Sequence, residues 1–300
     1  MDMNTRPRMS HQEIDLLITL ANASSFTEAA QSLHLTQSAI SRSVAKMEKF
    51  LKTELLLRGK SGCKPTRDLI LLQPKLRRAQ HALEALVPRK RPEEAVHGKI
   101  RVAGFRSAVS VLLPQSIATF MAKHRRVRVS LSTVPEVGGG VQRAVLDGKA
   151  DFGVTTVRPL RHLRSVHLGA DRYVVVRRRE ARQRPIPARE SLILWAEKCS
   201  ERVPEILKAN RWSPLETMSV DSDLAVMAMI EHGAGFSVLP KLATEPLPAK
   251  LERIALPIET NRDIWLCGRS DVWDTAAGKA FRRCVVSDVT AKLKADTLDL

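Results

Sequence analysis

The spacing of apolar residues in this 300-residue chain changes near residue 97, and that change limits the folds open to it. Between residues 11 and 57, apolar residues recur three and four positions apart, which is the spacing of helix faces packed on one core. After residue 97, short apolar runs alternate with helical segments, which is typical of a parallel sheet covered on both faces. The sequence therefore predicts a small, mainly helical N-terminal unit followed by a larger α/β unit.

Three short helices are predicted in the N-terminal unit. The first has apolar residues at helical spacing over residues 14–21. Ser25 and Glu28 fit a capping box, in which a hydroxyl and a carboxylate satisfy the first free amides of the second helix. Thr36 is a natural N-cap for the third helix. The connection between the second and third helices is therefore tight.

The third predicted helix has two chemically different sides. Ile40, Val44, Met47 and Leu51 lie on one apolar stripe. The opposite side carries small or cationic residues, which permit close approach to another surface. These residues are Ser38, Ser41, Arg42, Ala45 and Lys49.

Strand, turn and helix signals follow this helix in order. Residues 54–57 are strand-like, and residues 58–62 form a basic turn that contains glycine. A long helical pattern covers residues 67–86, where Pro74 predicts either a kink or a first turn. The proline-flanked basic segment 88–92 is typical of a linker.

The net charge of +17 and the estimated pI of about 10.3 favour a polyanionic partner. The excess is shared along the chain, because the basic clusters 124–128 and 177–179 lie in the α/β unit. These two clusters fit either a solvated surface or contacts with bent DNA or an acidic partner. No apolar run approaches the ~20 residues of a membrane span, and residues 1–10 lack the apolar core of a signal peptide. We therefore expect a cytoplasmic protein without a membrane partner.

The four cysteines do not form a recognisable metal or disulfide pattern. They are widely separated, with no C-x-x-C pair, so we expect free thiols, no metal and no cofactor. They are Cys63, Cys199, Cys267 and Cys284.

Residues 25–42, SFTEAAQSLHLTQSAISR, resemble the helix-turn-helix of the LysR-type transcriptional regulators. The following KMEKFL and ELLLR segments resemble that family's end of recognition helix and start of wing. Weaker matches follow in the family's order along the rest of the chain. They are Pro65-Thr66, residues 98–104, Leu112-Leu113-Pro114, residues 148–153 (GKADFG) and residues 233–240 (GAGFSVLP).

The resemblance implies an α/β protein with three parts. A winged helix-turn-helix is expected over residues 1–66, and a linker helix and hinge over residues 67–92. A two-lobed effector domain, similar to the type II periplasmic binding proteins, is expected over residues 93–300. Lobe 1 would hold about residues 97–168 and 262–300, and lobe 2 about residues 169–261. Where this family favours glycine after the recognition helix, this chain has Lys52.

The recognition helix, residues 37–51, is expected to enter the major groove of a double-stranded operator, because N-terminal residues of such a helix reach base edges. Arg42 is the best candidate for a guanine edge, and Gln37 for adenine or the backbone. Flanking cations would contact phosphates, which position the protein without specifying a sequence. The base-facing set is Gln37, Ser38, Ser41 and Arg42, and the phosphate-contacting set is Lys46, Arg58, Lys60, Lys64 and Arg67. The alternative is a merely solvated basic face.

An effector is expected at the carboxyl ends of the sheet strands, where helix N-termini favour anions. By resemblance, Ser107 offers a hydroxyl to a small carboxylate or similar metabolite. The alternatives are structural: Ser107 as a helix cap, Trp195 as core, and Gly138 as part of a flexible turn. The candidate residues are Arg106, Ser107, Thr133, Gly138 and Thr155, with Trp195, Ser200, Ser222 and Phe236 from the second lobe.

A homodimeric or homotetrameric regulator fits the sequence better than other classes of function do. The linker helix offers a dimerising stripe, Leu72, Leu76, Ala79, Leu83 and Leu86. An enzyme is disfavoured, because G-x-S-x-G, H-E-x-x-H, P-loop and G-x-G-x-x-G motifs are missing from the sequence, and no catalytic residue is assigned. An exported solute receptor would lack the helix-turn-helix. A thiol redox sensor would need Cys199 to pair with Cys267 or Cys284.

Overall fold

The computed structural model describes residues 9–21, 26–33, 35–59, 62–86, 98–181, 190–196 and 201–298. The chain divides into two compact units: Met1–Glu93 with Leu146–Lys149, and Glu94–Val145 with Ala150–Leu300. The capping serine expected at Ser25 and the linker expected at residues 88–92 lie outside the described residues.

The N-terminal unit is a three-helix core with a β-hairpin and a long helix. Its elements are α1 (His11–Leu20), α2 (Phe26–Leu33), α3 (Gln37–Leu51), β1 (Leu56–Gly59), β2 (Gly62–Pro65) and α4 (Arg67–Leu86). Strands β1 and β2 are antiparallel, with Leu56 opposite Pro65. The predicted winged helix-turn-helix is confirmed by this order and pairing.

Side-chain caps fix the helix ends of this unit. Ser10 and Glu13 form a reciprocal capping box at the start of α1. The hydroxyl of Thr36 accepts a hydrogen bond from Ala39 N at 3.2 Å, so Thr36 is the N-cap of α3 as predicted. At the other end of α3, Lys52 adopts the left-handed conformation, with φ of 54°.

Helix α4 runs through Pro74 as one element and packs along α1. Three residues of the stripe assigned to dimerisation, Leu72, Leu76 and Ala79, contact the core of the N-terminal unit instead. Most of the stripe is therefore packed inside the N-terminal unit, because α4 covers the apolar face of α1. Exposed apolar side chains on α4 are Ile70, Leu71 and Leu83.

The second unit combines parallel and antiparallel strands. Its strands are β3 (Gly98–Gly104), β4 (Val127–Thr133), β5 (Phe152–Thr155), β6 (Arg164–Arg178), β7 (Leu192–Trp195), β8 (Thr217–Val220), β9 (Ser237–Pro240), β10 (Leu251–Ala255) and β11 (Asn261–Gly268). Its α-helices are α5 (Leu113–Lys123), α6 (Gly140–Leu146), α7 (Val203–Ala209), α8 (Asp223–Glu231), α9 (Ser270–Trp273) and α10 (Ala276–Leu298). A π-helical turn, Ala108–Leu112, precedes α5.

Strands β3, β4 and β5 are parallel, as the alternation of strand and helix predicted. In this stretch the apolar residues 173–176 predict only a short strand, whereas the observed strand β6 covers Arg164–Arg178. Its first part pairs antiparallel with β11, and its second part pairs antiparallel with β9 and β10. A single strand therefore contributes to both halves of the unit.

Separate groups of buried side chains fill the two halves. One surrounds β3, β5, β11 and α10, and includes Phe152 and Phe281. In the other half, Val174 and Val176 face one buried cluster, whereas Tyr173 and Val175 face a second one. Because side chains alternate along a strand, β6 is covered on both faces there. Two lobes result, with β6 and β11 running between them.

No helix in the described part of the chain is both long enough and apolar enough to cross a bilayer.

Candidate DNA interface and ligand cleft

Helix α3 is anchored by its apolar stripe. Ile40 and Val44 are fully buried, and Met47 is 2% exposed, in the core formed with α1 and α2. Residues at a spacing of three and four therefore fix the rotation of the helix about its axis. The opposite side of α3 is turned away from this core.

The structure places the predicted base-facing residues at the first two turns of α3. Gln37, Ser38 and Arg42 are exposed, and Ser41 is half-buried. The hydroxyls of Ser38 and Thr36 lie 3.1 Å apart. A guanidinium and small polar groups thus lie together at the accessible start of the helix.

Lys46, predicted to contact phosphate, already has a protein partner. Its Nζ donates to Oε1 of Glu13 at 2.6 Å, although the Lys46 side chain is 71% exposed. The hydrogen bond from Lys46, followed by the one from the Ser10 backbone, lowers the pKa of Glu13 below its usual value of 4.5. A phosphate would compete with Glu13 for this ammonium group.

The other predicted phosphate contacts surround the wing. Lys64 on β2 and Arg67 at the start of α4 are exposed. Arg58 lies on β1, and Lys60 is outside the described residues.

Glu48 fixes the wing to α3, a role that the sequence reading missed. Its Oε1 accepts hydrogen bonds from Leu55 N at 2.9 Å and Leu56 N at 3.3 Å. A glutamate eight residues before a strand has no distinctive local pattern, so this contact has no specific signal in the sequence.

A cleft of about 480 Å³, including space open to solvent, lies in the second unit. It is formed by the ends of β3 and β4, the loops that follow them, and the end of β7. The lining residues are Phe105, Arg106, Ser107, Thr133, Val134, Pro135, Glu136, Thr156, Trp195 and Arg262. Four of the predicted effector residues, Arg106, Ser107, Thr133 and Trp195, are therefore brought together.

Arg106 joins the two lobes at this cleft. It forms an ion pair with Asp223, the first residue of α8, and its Nη2 donates to Ala243 O at 3.1 Å. The guanidinium carbon lies 5.8 Å from the ring centroid of Trp195. Asp223 is buried, so its carboxylate neutralises most of the charge that Arg106 brings to the cleft.

Arg262 is a second cationic residue of the cleft, and the sequence reading missed it. Its Nη2 donates to Asp171 Oδ2 at 2.8 Å and to Ser107 Oγ at 3.3 Å. Its guanidinium also lies over the ring of Phe105, at 4.9 Å. Arg262 and Asp171 come from β11 and β6, so their pairing depends on the register of two strands 91 residues apart in sequence.

Glu136, whose side chain is the carboxylate among the cleft-lining residues given above, was also missed, and 4% of this residue is exposed. Its Oε1 accepts hydrogen bonds from Thr156 N at 2.7 Å and Val157 N at 3.3 Å, and from the hydroxyls of Thr155 and Thr156. Its Oε2 has no hydrogen-bond partner among the described residues.

The glycines after Glu136 turn the chain from the cleft into α6. Gly138 and Gly139 have φ of 64° and 69°, a conformation that residues with a side chain rarely adopt. At Gly140, a Cβ atom would lie 2.2 Å from Pro135 O. The predicted effector residue Gly138 thus shapes the loop, and it is not among the cleft-lining residues.

The remaining predicted effector residues lie around the cleft or away from it. The hydroxyl of Thr155 donates a hydrogen bond to Oε1 of Glu136. The hydroxyl of Ser222 caps α8 by accepting a hydrogen bond from Ala225 N at 3.4 Å. Phe236 packs in the core of the second lobe, where it is 1% exposed. Ser200 lies outside the described residues.

Two cysteine thiols of the second unit are poorly suited to redox sensing. Burial, and to a lesser extent the Glu136 carboxylate, raises the pKa of the Cys267 thiol to about 12. Burial, and then the nearby Asp288, also raises the pKa of Cys284. Neither thiol forms the thiolate readily, and the thiolate is the reactive species. Cys199 lies outside the described residues.

Comparison with known proteins agrees with both halves of this description. Residues 11–68 match the bacterial regulatory helix-turn-helix of the lysR family, and residues 93–289 match the LysR substrate binding domain. The probable HTH-type transcriptional regulator LrrA of Synechococcus elongatus is 29% identical over 264 residues, 85% of this chain and 89% of that protein.

Solved structures share the fold at low sequence identity. A full-length OxyR variant from Pseudomonas aeruginosa has a TM-score of 0.72 at 16% identity, covering 94% of this chain and 98% of that one. ArgP from Mycobacterium tuberculosis has a TM-score of 0.67 at 20% identity, over 94% and 98% of the two chains. The predicted family, and a regulator rather than an enzyme, are confirmed: this chain belongs to the LysR family of DNA-binding transcription regulators with an effector-binding domain.

Proposed function

We propose that α3 reads the major groove of an operator and that a small molecule bound in the cleft of the second unit modulates this binding. The observation that carries the proposal is the rotation of α3. Because Ile40, Val44 and Met47 are held in the core, the first two turns present Gln37, Ser38 and Arg42 outward. A helix in the major groove reads bases with its N-terminal residues.

Cations flanking α3 support phosphate contacts. Lys64 and Arg67 are exposed near the wing, and Lys46 is exposed on α3 itself. Such contacts hold the protein in register on the duplex without specifying its sequence. In this scheme residues 1–66 bind DNA, residues 67–92 link, and residues 93–300 bind the effector in the cytoplasm.

The predicted small carboxylate is supported by two features of the cleft. Arg106 lines it, and Nε of Arg106 has no hydrogen-bond partner among the described residues. Ser107 supplies a hydroxyl beside Arg262. An acceptor oxygen of the effector would satisfy these groups.

Self-association is the natural way to present two recognition helices to one operator. On α4, Ile70, Leu71 and Leu83 are exposed, and Ile70 is 54% accessible. We assign the dimer contact to these side chains rather than to Leu72, Leu76 and Ala79, which are used within the unit.

Replacing Arg42 by alanine tests the DNA-reading role. Because Arg42 is exposed, the variant should fold normally but lose one base contact, lowering affinity for a preferred duplex about 10- to 100-fold. The duplex is obtained by selection from a random-sequence library with the wild-type protein, and affinity is measured by fluorescence anisotropy at fixed salt.

Arg161→Ala is the matched control, since Arg161 is an exposed arginine of the second unit. It should leave affinity for the selected duplex nearly unchanged. Equal affinity of the Arg42→Ala protein and the wild type for that duplex would refute the assignment of Arg42.

A further inference from the structure

The two carboxylate oxygens of Glu136 differ in the hydrogen bonds that they accept from the described residues. Two backbone amides and two threonine hydroxyls converge on Oε1. Oε2 is buried, belongs to a residue that lines the cleft, and accepts no hydrogen bond from the described residues. A buried carboxylate oxygen without a partner is costly, so its persistence points to a group supplied from outside the chain.

The charges around the cleft indicate which kind of group Oε2 of Glu136 would bind. Arg106 is paired with Asp223, and Arg262 is paired with Asp171. Glu136 has no cationic partner among the described residues, so these five side chains carry a net charge of −1. A water molecule could donate a hydrogen bond to Oε2, but it would not neutralise this charge.

Resting on the proposed effector role of the cleft, we infer that the effector carries a positively charged nitrogen, an ammonium, amidinium or guanidinium group, which donates to Oε2 of Glu136. A carboxylate without such a nitrogen would add a second uncompensated negative charge to the cleft. A ligand that also has an acceptor oxygen satisfies Arg106 Nε at the same time, as amino acids and amino-substituted acids do.

The geometry of Glu136 suits recognition of one charged end of a ligand. Its backbone is set by the glycine turn that follows it, and its side chain is fixed by Thr155, which is fully buried, and by Thr156. A carboxylate that is already oriented loses little conformational freedom when it binds a cation. Discrimination against neutral analogues then follows, because they leave Oε2 unpaired in the bound state.

Pairs of probes that differ in one charge test this inference on the full-length protein. The pairs are 4-guanidinobutyrate with 4-ureidobutyrate, and 5-aminopentanoate with pentanoate; agmatine, succinate and benzoate complete the set. Binding is measured by calorimetry and by the thermal transition of tryptophan fluorescence, since all four tryptophans lie in the second unit. We expect at least one cationic probe to bind, and its neutral or nitrogen-free analogue to bind about 10- to 100-fold more weakly.

Glu136→Gln is the matching variant, because glutamine keeps an oxygen for the amides of Thr156 and Val157 while removing the charge. It should weaken the cationic probe by about 10- to 100-fold. Glu205→Gln, an exposed glutamate on α7, should bind it like the wild type. If Glu136→Gln does not fold, the paired probes on the wild-type protein decide the question alone.

Several results would overturn the inference. If Glu136→Gln binds the cationic probe as tightly as the wild type does, Glu136 does not recognise the effector. Binding only of pentanoate, succinate or benzoate refutes the cationic nitrogen while leaving the effector role of the cleft in place. Binding of none of these probes also counts against the inference, and the DNA-reading role is decided separately by Arg42→Ala.

Discussion

The DNA-facing helix and the ligand cleft are built in opposite ways. All the residues assigned to base reading lie within residues 37–42 of one helix, and local periodicity determines which of them are buried. The charged cleft residues lie between positions 106 and 262, and they meet only because β3, β6, β11 and α8 are assembled. Substitutions at the exposed start of α3 should therefore leave the fold intact. Substitutions of the buried cleft charges should also change the stability of the second unit.

The difference lies also in the electrostatics. Arg42 is exposed, so removing it should leave the core of the N-terminal unit undisturbed. Arg262 and Asp171 are buried together, so removing either one leaves an uncompensated charge inside the protein. The three predictions below, ordered from the largest expected effect to the smallest, test this contrast.

Asp171→Ala should be the most damaging change. It removes the carboxylate that pairs with Arg262. It also removes Asp171 Oδ1, which accepts a hydrogen bond from Leu242 N at 3.1 Å. Breaking a buried pair in this way costs about 3–5 kcal/mol of the free energy of unfolding. Denaturant titration followed by tryptophan fluorescence measures it, because Trp195, Trp212, Trp265 and Trp273 all report the second unit.

Asp263→Ala is the control for that measurement. Oδ1 of Asp263 accepts a hydrogen bond from His167 Nε2 at 2.9 Å, but the Asp263 side chain is 61% exposed. Asp263→Ala should lower the free energy of unfolding by less than about 1 kcal/mol. Equal costs for the two aspartates would show that the cleft pair contributes no more to stability than a surface pair does.

The same contrast explains what could be predicted from the sequence. Thr36 and the stripe of α3 are short-range features, and the structure has them as expected. The strand predicted at residues 54–57 lies two residues further along, because β1 covers Leu56–Gly59. Thr133 and Trp195 were found because each lies at the end of a strand that periodicity identifies, whereas Ser107 was found through the family resemblance.

Glu136 and Arg262 could not be found in this way. The partners of Glu136 are 19–21 residues away, and those of Arg262 are 91 and 155 residues away. A lone glutamate after a strand, or one more arginine in a basic chain, has no distinctive local pattern. Strand β6 was predicted too short because Gly169 and Asp171 interrupt its apolar alternation, and its pairing with β11 compensates for them.

Lys52→Gly should stabilise the N-terminal unit by about 1 kcal/mol, because glycine adopts the left-handed conformation of this C-cap at little cost. Hydrogen exchange of the α3 amides measures the effect, since this unit has no tryptophan. Lys49→Gly, the same substitution at an exposed helical position, should instead destabilise it by about 1 kcal/mol. Effects of the same sign at the two positions would contradict the conformational explanation.

Glu13→Gln should have the smallest effect, and one that depends on pH. The pKa of Glu13 is lower in the folded protein, so its carboxylate stabilises the fold fully above its usual value of 4.5. That contribution is lost as the pH falls through the lowered pKa. Since Lys46 is largely exposed, the contribution should stay below about 1 kcal/mol.

Hydrogen exchange of the α1 and α3 amides, compared between the wild type and Glu13→Gln from pH 3 to pH 7, measures this difference. The two proteins should converge toward the acid end and differ most near neutrality. The variant also frees Lys46 for phosphate, so its affinity for unrelated duplex DNA should rise slightly at low salt. A stability difference that grows as the pH falls would mean that Glu13 is not held as an anion by Lys46, and that this part of the DNA-facing surface is independent of α1.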